Sequence, residues 1–222
     1  MKLIIFGATG GTGRELVSQA LAQGHNVTAF VRNLEKLQQT HELLQVIKGD
    51  VLDRTAVERA ISGHDAVLCA LGAPAMNKRK IRSTGTEIII TAMQKTGVKR
   101  LICQSGYGCG ETYALLPFNY KYIIFPLFLR HVFIDHELQE RAIKQSQLDW
   151  TITRPAALSN DRYTGEYWHG LAPTDTAITI KISRADAADF MLKQLSDNYY
   201  LGKTPGLSYR AKNSERMLTT AG

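Results

Sequence analysis

The chain has 222 residues, a formal net charge of +7 and a hydrophobic fraction of 44%, which is ordinary for a globular protein. This length suits one domain with a sizeable core, and no apolar run is long enough to span a membrane. The basic residues are spread along the chain without interleaved aromatic residues, which argues against nucleic-acid binding. The three cysteines lack metal-ligand spacing and the first apolar run is too short for a signal peptide, so we expect a cytoplasmic protein without a metal.

The predicted elements alternate between strands and helices along the chain. Apolar runs predict strands at 2–6, 26–31, 43–47, 65–70, 100–103, 149–153 and 177–182. Caps and helical spacing predict helices at 11–23, at 53–62, from Ser83 onward, at 135–145 and at 184–195. This alternation predicts an α/β fold, a Rossmann-type doubly wound parallel sheet in a single domain. We assign residues 1–202 to this domain and residues 203–222 to a polar C-terminal tail.

The first predicted strand runs directly into a glycine-rich turn that opens a helix. A turn in this position holds a dinucleotide pyrophosphate at the helix N-terminus. Gly7 permits the tight turn, Gly10 lets backbone N–H groups approach the phosphates, and Gly13 lets the helix pack close to the strand. The glycine spacing, G-x-x-G-x-x-G, is the variant found in short-chain dehydrogenases. The predicted contacts in the turn are Gly7, Thr9, Gly10, Gly11, Thr12 and Gly13.

The end of the second strand selects between the two nicotinamide cofactors. A carboxylate there would bind the ribose hydroxyls of NAD, but this chain has Arg32 and no acidic residue until Glu35. A guanidinium can hold a 2′-phosphate bidentately, so we predict NADP(H) as the cofactor. Further predicted cofactor contacts follow the third and fourth strands, beside the adenine and the nicotinamide ribose respectively: Asp50, Val51, Leu71 and Gly72.

The acid–base residues of most short-chain dehydrogenases are incomplete in this chain. Ser105 follows the fifth strand, where those enzymes have a serine, but no Tyr-x-x-x-Lys pair follows it on the next helix. A formal match from Tyr199 to Lys203 lies after the final helix, and we dismiss it. Two explanations stay open: reduction of a substrate that needs little acid from the protein, or dinucleotide binding without catalysis.

Two segments are expected to build the substrate site at the carboxyl ends of the strands. Residues 107–134 are long, aromatic and interrupted by proline, and residues 155–176 form a loop region. Helices packed on the sheet are the alternative interpretation of 107–134, and a surface loop is the alternative to a flap formed by Trp168 and His169. The basic cluster 78–82 is interpreted as a solvated loop, with one or two members covering an anionic cofactor as the alternative.

Several motifs together resemble the atypical short-chain dehydrogenases, and within them the biliverdin-IXβ reductase/flavin reductase family. The motifs that carry this resemblance are Gly7–Gly13, Phe30–Asn33, Gly49–Val51, Ser105-Gly106, Asp149–Pro155 and the helix containing Asp186-Ala187-Ala188. The resemblance implies an NADPH-dependent reductase of flavins, such as FMN and riboflavin, or of linear tetrapyrroles of the biliverdin type. Both acceptors are conjugated electron sinks, which fits the absent tyrosine–lysine pair.

The resemblance also implies roles for individual residues. Ser105 matches the active-site serine, as a hydrogen-bond donor near the nicotinamide or the acceptor, and the backbone of Pro155 matches the position that fixes the nicotinamide amide. His136 aligns with a family histidine, although a packing role is as good an interpretation. Ala157 stands where the family has another histidine, so that histidine's role is not transferable.

Two other functions remain open from the sequence. One is a non-catalytic NADP-binding redox sensor or regulator of the NmrA type, and the other is a carbonyl reductase or epimerase with relocated acid–base residues. The partner of the leading hypothesis is a small-molecule acceptor, with no nucleic acid and no membrane. We expect a monomer, although the sequence does not determine the oligomeric state.

Overall fold

The computed structural model describes residues 1–72, 80–116, 118, 120–171 and 178–211. The strands in the described part are β1 (Lys2–Phe6), β2 (Asn26–Val31), β3 (Leu44–Lys48), β4 (Ala66–Cys69), β5 (Arg100–Gln104), β6 (Asp149–Pro155), β7 (Ala157–Ser159), β8 (Trp168–His169), β9 (Lys181–Ser183) and β10 (Gly206–Ser208). The α-helices there are α1 (Gly11–Ala22), α2 (Arg54–Ile61), α3 (Ile81–Thr96), α4 (Arg130–Lys144) and α5 (Arg184–Lys193).

The central sheet has the strand order β3-β2-β1-β4-β5-β6-β10-β8. All neighbouring pairs are parallel except β10 and β8, which are antiparallel. The order reverses direction between β1 and β4, and doubly wound sheets bind ligands in the crevice at such a point. The predicted α/β, Rossmann-type doubly wound fold is therefore confirmed.

Helices cover both faces of this sheet. One face packs against α1 and α5, and the other against α2, α3 and α4. Residues Leu3–Phe6 of β1 are fully buried, because a parallel strand between two helical layers has no solvated face. This double burial explains why these strands are continuous apolar runs in the sequence.

The start of α3 and the region before α4 differ from the sequence-based expectations. α3 begins at Ile81 rather than Ser83, because the buried carboxylate of Asp135 accepts hydrogen bonds from the backbone N–H groups of Arg82 (3.1 Å) and Ser83 (2.9 Å). α4 begins at Arg130 rather than residue 135 and follows a π-helical segment at Tyr120–Leu129. That segment is almost uniformly apolar, so it lacks the alternation that marks a helix in the sequence.

The C-terminal region also differs from the expectation. Residues 206–208, which the sequence analysis placed in a polar tail, form β10 inside the central sheet, where Leu207 is fully buried and pairs with Pro155. The domain therefore continues past residue 202. A three-residue strand with one apolar side chain has no period that sequence analysis can detect. The predicted strand 177–182 is reduced to β9, which pairs with β7 in a separate two-stranded sheet. Residues 73–79, 117, 119, 172–177 and 212–222, on which parts of the predicted basic loop, substrate segments and tail fall, lie outside the described residues.

Candidate functional site

A cleft of about 820 Å³ opens at the carboxyl ends of the central strands. Most of the predicted site residues line it: Gly7, Thr9, Gly10, Gly11, Thr12, Arg32, Asp50, Val51, Leu71, Gly72, Ser105 and Pro155. Gly13 is the predicted residue that lies behind this lining. The tertiary structure thus brings residues from the first, second, third, fourth, fifth and sixth strand ends into one site, as expected for a doubly wound sheet.

The first residue of the glycine-rich turn has a backbone conformation that only glycine adopts without strain. Gly7 has φ of +82°, and a Cβ atom there would lie 2.3 Å from the backbone oxygen of Ala70. A Cβ atom on Gly13 would lie 2.0 Å from the backbone oxygen of Gly7, so helix α1 packs directly against the turn. Gly10 is the N-cap of α1 and has no side chain to cap it, which leaves the helix N-terminus suited to a phosphate group.

Cationic side chains surround this end of the cleft. The basic residues at this end are Arg14, Arg32, Lys36 and Arg184, whereas Arg82 lines the cleft near His136 and pairs with Asp135. Asp50 is the acidic residue among the described lining residues. The Arg14 side chain donates a hydrogen bond to the backbone oxygen of Lys36 (3.2 Å), which brings both residues to the Arg32 side of the cleft. The excess of positive charge matches an anionic dinucleotide.

Arg184 is a cleft residue that the sequence analysis missed. A Cβ atom added to Gly11 would lie 2.3 Å from Cδ of Arg184, so this arginine lies directly over the glycine-rich turn. Its Nη1 donates a hydrogen bond to Oδ1 of Asn160 (2.6 Å). No local pattern indicates this position, because the two segments are joined only by the packing of α1 against α5.

The other end of the cleft is mainly apolar. It is lined by Tyr107, Leu116, Leu129, Phe133, Ala156, Ala157, Leu158 and Ile180, together with the polar residues Gln104 and His136. Both predicted substrate segments, 107–134 and 155–176, therefore contribute to the wall. Trp168 and His169 are elsewhere, at the outer edge of the sheet, where the His169 ring bonds the Tyr200 hydroxyl (2.8 Å) and Arg210 stacks on Trp168.

Ser105 is connected to a buried ion pair beneath the cleft. Its hydroxyl donates a hydrogen bond to Oε1 of Glu140 (2.8 Å), and Arg154 binds the same carboxylate bidentately, with Nε 2.9 Å from Oε1 and Nη2 2.7 Å from Oε2. The Arg154 side chain is completely buried, and its Nη1 also contacts Oε1 of Glu111 at 2.6 Å. The sequence analysis found Ser105 but missed Glu140, Arg154 and Glu111.

The ion pair keeps both of its members charged. Burial by itself would raise the pKa of Glu140, but the hydrogen bonds and charge of Arg154, with the Ser105 hydroxyl, hold that pKa below its ordinary value. Burial would likewise lower the pKa of Arg154, but the Glu140 carboxylate and Glu111 raise it. The site therefore contains a fully compensated buried charge pair next to Ser105.

His136 lines the cleft as a neutral imidazole. Burial and the nearby charge of Arg82 lower its pKa to about 4, against opposing effects of Gln139, Asp135 and Glu140. Its Nδ1 lies 3.2 Å from Oε1 of Gln139, whose Nε2 donates to the hydroxyl of Thr86 (3.0 Å). Because the Gln139 oxygen faces the ring, Nδ1 carries the proton and Nε2 is the acceptor.

This depressed pKa makes the stability of the protein depend on pH. In the unfolded chain His136 has its ordinary pKa of 6.5, whereas in the folded protein its pKa is about 4. The unfolded state therefore binds more protons between these values, and the free energy of unfolding falls as the pH falls. We expect this group to remove about 2 kcal/mol between roughly pH 7 and pH 5.

Urea unfolding of the wild type and of His136→Gln at both pH values measures this contribution. The variant should show a pH dependence smaller by that amount. An equal pH dependence in His136→Gln and the wild type would contradict the assignment.

Comparison with known proteins assigns the family. A family model described as NAD(P)H-binding matches residues 7–198 of the chain. The chain belongs to this NAD(P)H-binding family. The match spans the glycine-rich turn, the Arg32 region, Ser105 and α5. It confirms the resemblance at the level of the cofactor-binding family, whereas the role of each residue in the cleft stays a prediction.

One curated relative and two solved structures are similar to this chain. The chain is 30% identical over 225 residues to an uncharacterised chloroplastic protein of Arabidopsis thaliana, an alignment that covers 97% of this chain and 79% of the relative. Its fold is similar to that of a short-chain dehydrogenase/reductase of Veillonella parvula in complex with NADP (TM-score 0.80, 18% identity, 96% and 95% of the two chains). It is also similar to the fold of the anaerobilin reductase ChuY of Escherichia coli (TM-score 0.78, 22% identity, 96% and 98% covered).

Two of the predictions concern the location of the protein and its oligomeric state. Within the ranges that the structure describes, no helix combines the length and the apolar composition that a membrane crossing requires. The Arabidopsis relative is named as chloroplastic. The predicted cytoplasmic location and the predicted monomeric state therefore stay predictions.

Proposed function

We propose that the protein is an NADPH-dependent reductase that transfers hydride to a flavin or to a linear tetrapyrrole of the biliverdin type. The observation that carries this proposal is the division of one cleft into a cationic end at the glycine-rich turn and an apolar end walled by Tyr107, Leu129 and Phe133. A dinucleotide fits the first end, and a planar conjugated acceptor fits the second. The tetrapyrrole part draws further support from the similarity of the fold to that of an anaerobilin reductase.

In this proposal the strand ends bind successive parts of the cofactor. The glycine-rich turn and Arg184 hold the pyrophosphate, and Arg32 holds the 2′-phosphate. Asp50 and Val51 contact the adenine. The remaining contacts, at the nicotinamide ribose and the nicotinamide amide, come from Leu71, Gly72 and Pro155.

The acceptor end supplies orientation rather than strong acid catalysis. Bound NADPH would supply a hydride, and a conjugated acceptor would delocalise the electron pair and take its proton from water. The neutral His136 and the buried Ser105 border this region and would orient the acceptor. The apolar wall would pack against the planar ring system of the acceptor. Such chemistry does not require the tyrosine–lysine pair that the chain lacks.

The test is the consumption of NADPH, followed by its absorbance, with FMN, riboflavin and biliverdin as separate acceptors. We expect a rate above the blank without protein for at least one acceptor. Tight binding of NADP combined with a rate no higher than the blank for every acceptor would overturn the reductase and favour a non-catalytic NADP-binding regulator of the NmrA type.

The choice of cofactor is tested by Arg32→Ala. Loss of a charge-assisted contact to the 2′-phosphate should weaken NADPH binding by about 10- to 100-fold and leave NADH binding nearly unchanged. Isothermal titration with both dinucleotides measures this difference. The matched control is Arg184→Ala, which should weaken both dinucleotides equally, because the pyrophosphate near Gly11 is common to them. An Arg32→Ala protein that keeps its preference for NADPH would contradict the assignment.

A further inference from the structure

We propose that Glu140, held in place by Arg154, fixes the direction of the Ser105 hydroxyl, so that Ser105 offers its lone pairs to the cleft and recognises a hydrogen-bond donor on the bound ligand. This inference rests on the proposed function, because it concerns the same cleft. It reverses the role that the family resemblance implies, in which Ser105 is a donor. The ligand group at this position is then an N–H group, either of the nicotinamide carboxamide or of the acceptor.

The acceptors around Ser105 determine the position of its hydroxyl proton. A serine hydroxyl has one proton and two lone pairs. Two acceptors lie within reach of that proton: Oε1 of Glu140 at 2.8 Å and Sγ of Cys109 at 3.6 Å. An ionised carboxylate at the shorter distance is a far stronger acceptor than a thiol, so the proton lies towards Glu140. Burial raises the pKa of the Cys109 thiol to about 12, so that thiol is neutral and does not compete as an anion.

The Glu140 carboxylate cannot turn away from Ser105. Arg154 contacts both carboxylate oxygens, and the Lys144 ammonium lies 3.3 Å from Oε2. Arg154 is itself enclosed, because a Cβ atom on Gly110 would lie 2.8 Å from its Nη2. The carboxylate therefore has one orientation, with Oε1 facing Ser105.

Hydrogen bonds also fix the backbone of Ser105. Its N–H donates to the backbone oxygen of Thr153 (2.8 Å), and the N–H of Tyr107 donates to that of Pro155 (2.9 Å). These bonds attach the loop after β5 to the end of β6, on which Arg154 also lies. The hydroxyl oxygen thus occupies one position at the cleft wall, and its lone pairs are its remaining hydrogen-bonding capacity.

The neighbouring His136 ring also presents a hydrogen-bond acceptor. The unprotonated Nε2 of His136 is an acceptor, and it would lie 3.8 Å from a Cβ atom on Gly106, beside Ser105. The adjacent acceptors Ser105 Oγ and His136 Nε2 favour a ligand with N–H groups over one without them, because a buried acceptor left unpaired is costly.

The experiment combines variants of the protein with ligands that lack one N–H group. The 3-acetylpyridine analogue of NADP replaces the carboxamide of the cofactor, and 3-methylriboflavin lacks the N3–H of the acceptor. Dissociation constants are measured by isothermal titration for each analogue and its parent, with the wild type, Ser105→Ala and Glu140→Gln. These constants do not require turnover, so the inference can fail or succeed independently of the reductase activity.

We expect the wild type to bind one of the two analogues about tenfold more weakly than its parent, and Ser105→Ala to lose this discrimination. The analogue that shows the effect identifies the source of the N–H group. Equal discrimination by the wild type and Ser105→Ala in both arms would overturn the proposal.

The ligand preference of Glu140→Gln distinguishes a positioning role of Glu140 from a merely structural one. The amide oxygen of the new glutamine should take the place of Oε2, where Nη2 of Arg154 and the Lys144 ammonium both donate. Its NH₂ group then replaces Oε1, loses the contact with Nε of Arg154, and donates to Ser105. The Ser105 proton then turns to the cleft, and the preference for the N–H ligand should be lost in a protein that still binds NADP. Retention of the preference in a folded Glu140→Gln protein would overturn the positioning role. Ser105→Ala, which removes a single oxygen atom, keeps the proposal testable if Glu140→Gln does not fold.

Discussion

Replacing Gly13 with alanine is expected to lower the free energy of unfolding by about 3 kcal/mol or more, because the added methyl group has no space. Its Cβ atom would lie 2.0 Å from the backbone oxygen of Gly7 and 2.8 Å from Cα of Ala8. Both neighbours are backbone atoms of the turn, so they cannot rotate away as a side chain could. Relief requires α1 to move away from β1, which would disturb the core and the glycine-rich turn together.

Two other glycines of the same cleft provide matched controls. Gly72→Ala adds a methyl group with nothing within 4 Å, and Gly11→Ala meets only the flexible side chain of Arg184. Both variants should stay within about 1 kcal/mol of the wild type in urea unfolding without cofactor. A Gly13→Ala protein as stable as these two would show that α1 is not packed against the turn as described.

Replacing Glu140 with alanine is expected to lower the free energy of unfolding by about 3–5 kcal/mol, because it leaves the buried guanidinium of Arg154 without its bidentate partner. Arg154 is completely buried, and its other carboxylate contact, Glu111, has a side chain that is 59% exposed. The double variant Glu140→Leu with Arg154→Met removes both charges and should recover most of the loss, since apolar residues of similar volume often replace a buried ion pair without cost.

An exposed ion pair supplies the comparison. Lys95 and Glu58 are 2.8 Å apart, but their side chains are 59% and 42% exposed, so Glu58→Ala should cost less than about 1 kcal/mol. Chemical unfolding of the wild type, Glu140→Leu, Arg154→Met and the double variant gives the coupling between Glu140 and Arg154 as a double-mutant cycle. If Glu140→Ala and the double variant lose the same free energy, the pair is not an independent electrostatic unit.

Much of the fold could be predicted because its signals are local. A parallel strand buried on both faces must be a continuous apolar run, as in Leu3–Phe6, and helices on the sheet must repeat their apolar residues at helical spacing. β10 was not predicted, and a helix at Tyr120–Leu129 was only the alternative interpretation of residues 107–134, for the opposite reason. The first is too short to show a period, and the sequence of the second is almost uniformly apolar.

The residues of the candidate site also divide into those that local sequence signals predict and those that depend on tertiary packing. The glycine-rich turn, Arg32 and Ser105 follow strand ends, and strand ends meet at one edge of a parallel sheet, so their places in the cleft follow from the predicted order of elements. The place of Arg184 over Gly11 depends on the docking of two helices that are far apart in the chain.

The sequence by itself determined the Rossmann-type sheet, the dinucleotide turn and the absence of a tyrosine–lysine pair after Ser105. Each of these features depends on consecutive or regularly spaced residues, so a local pattern reveals it. Only the tertiary structure decided what Ser105 contacts. Glu140 is 35 residues away on α4, and Arg154 reaches it from β6. A glutamate in a helix and an arginine in a strand usually belong to the solvated surface, and only the packing of these elements makes them a buried pair that orients the serine.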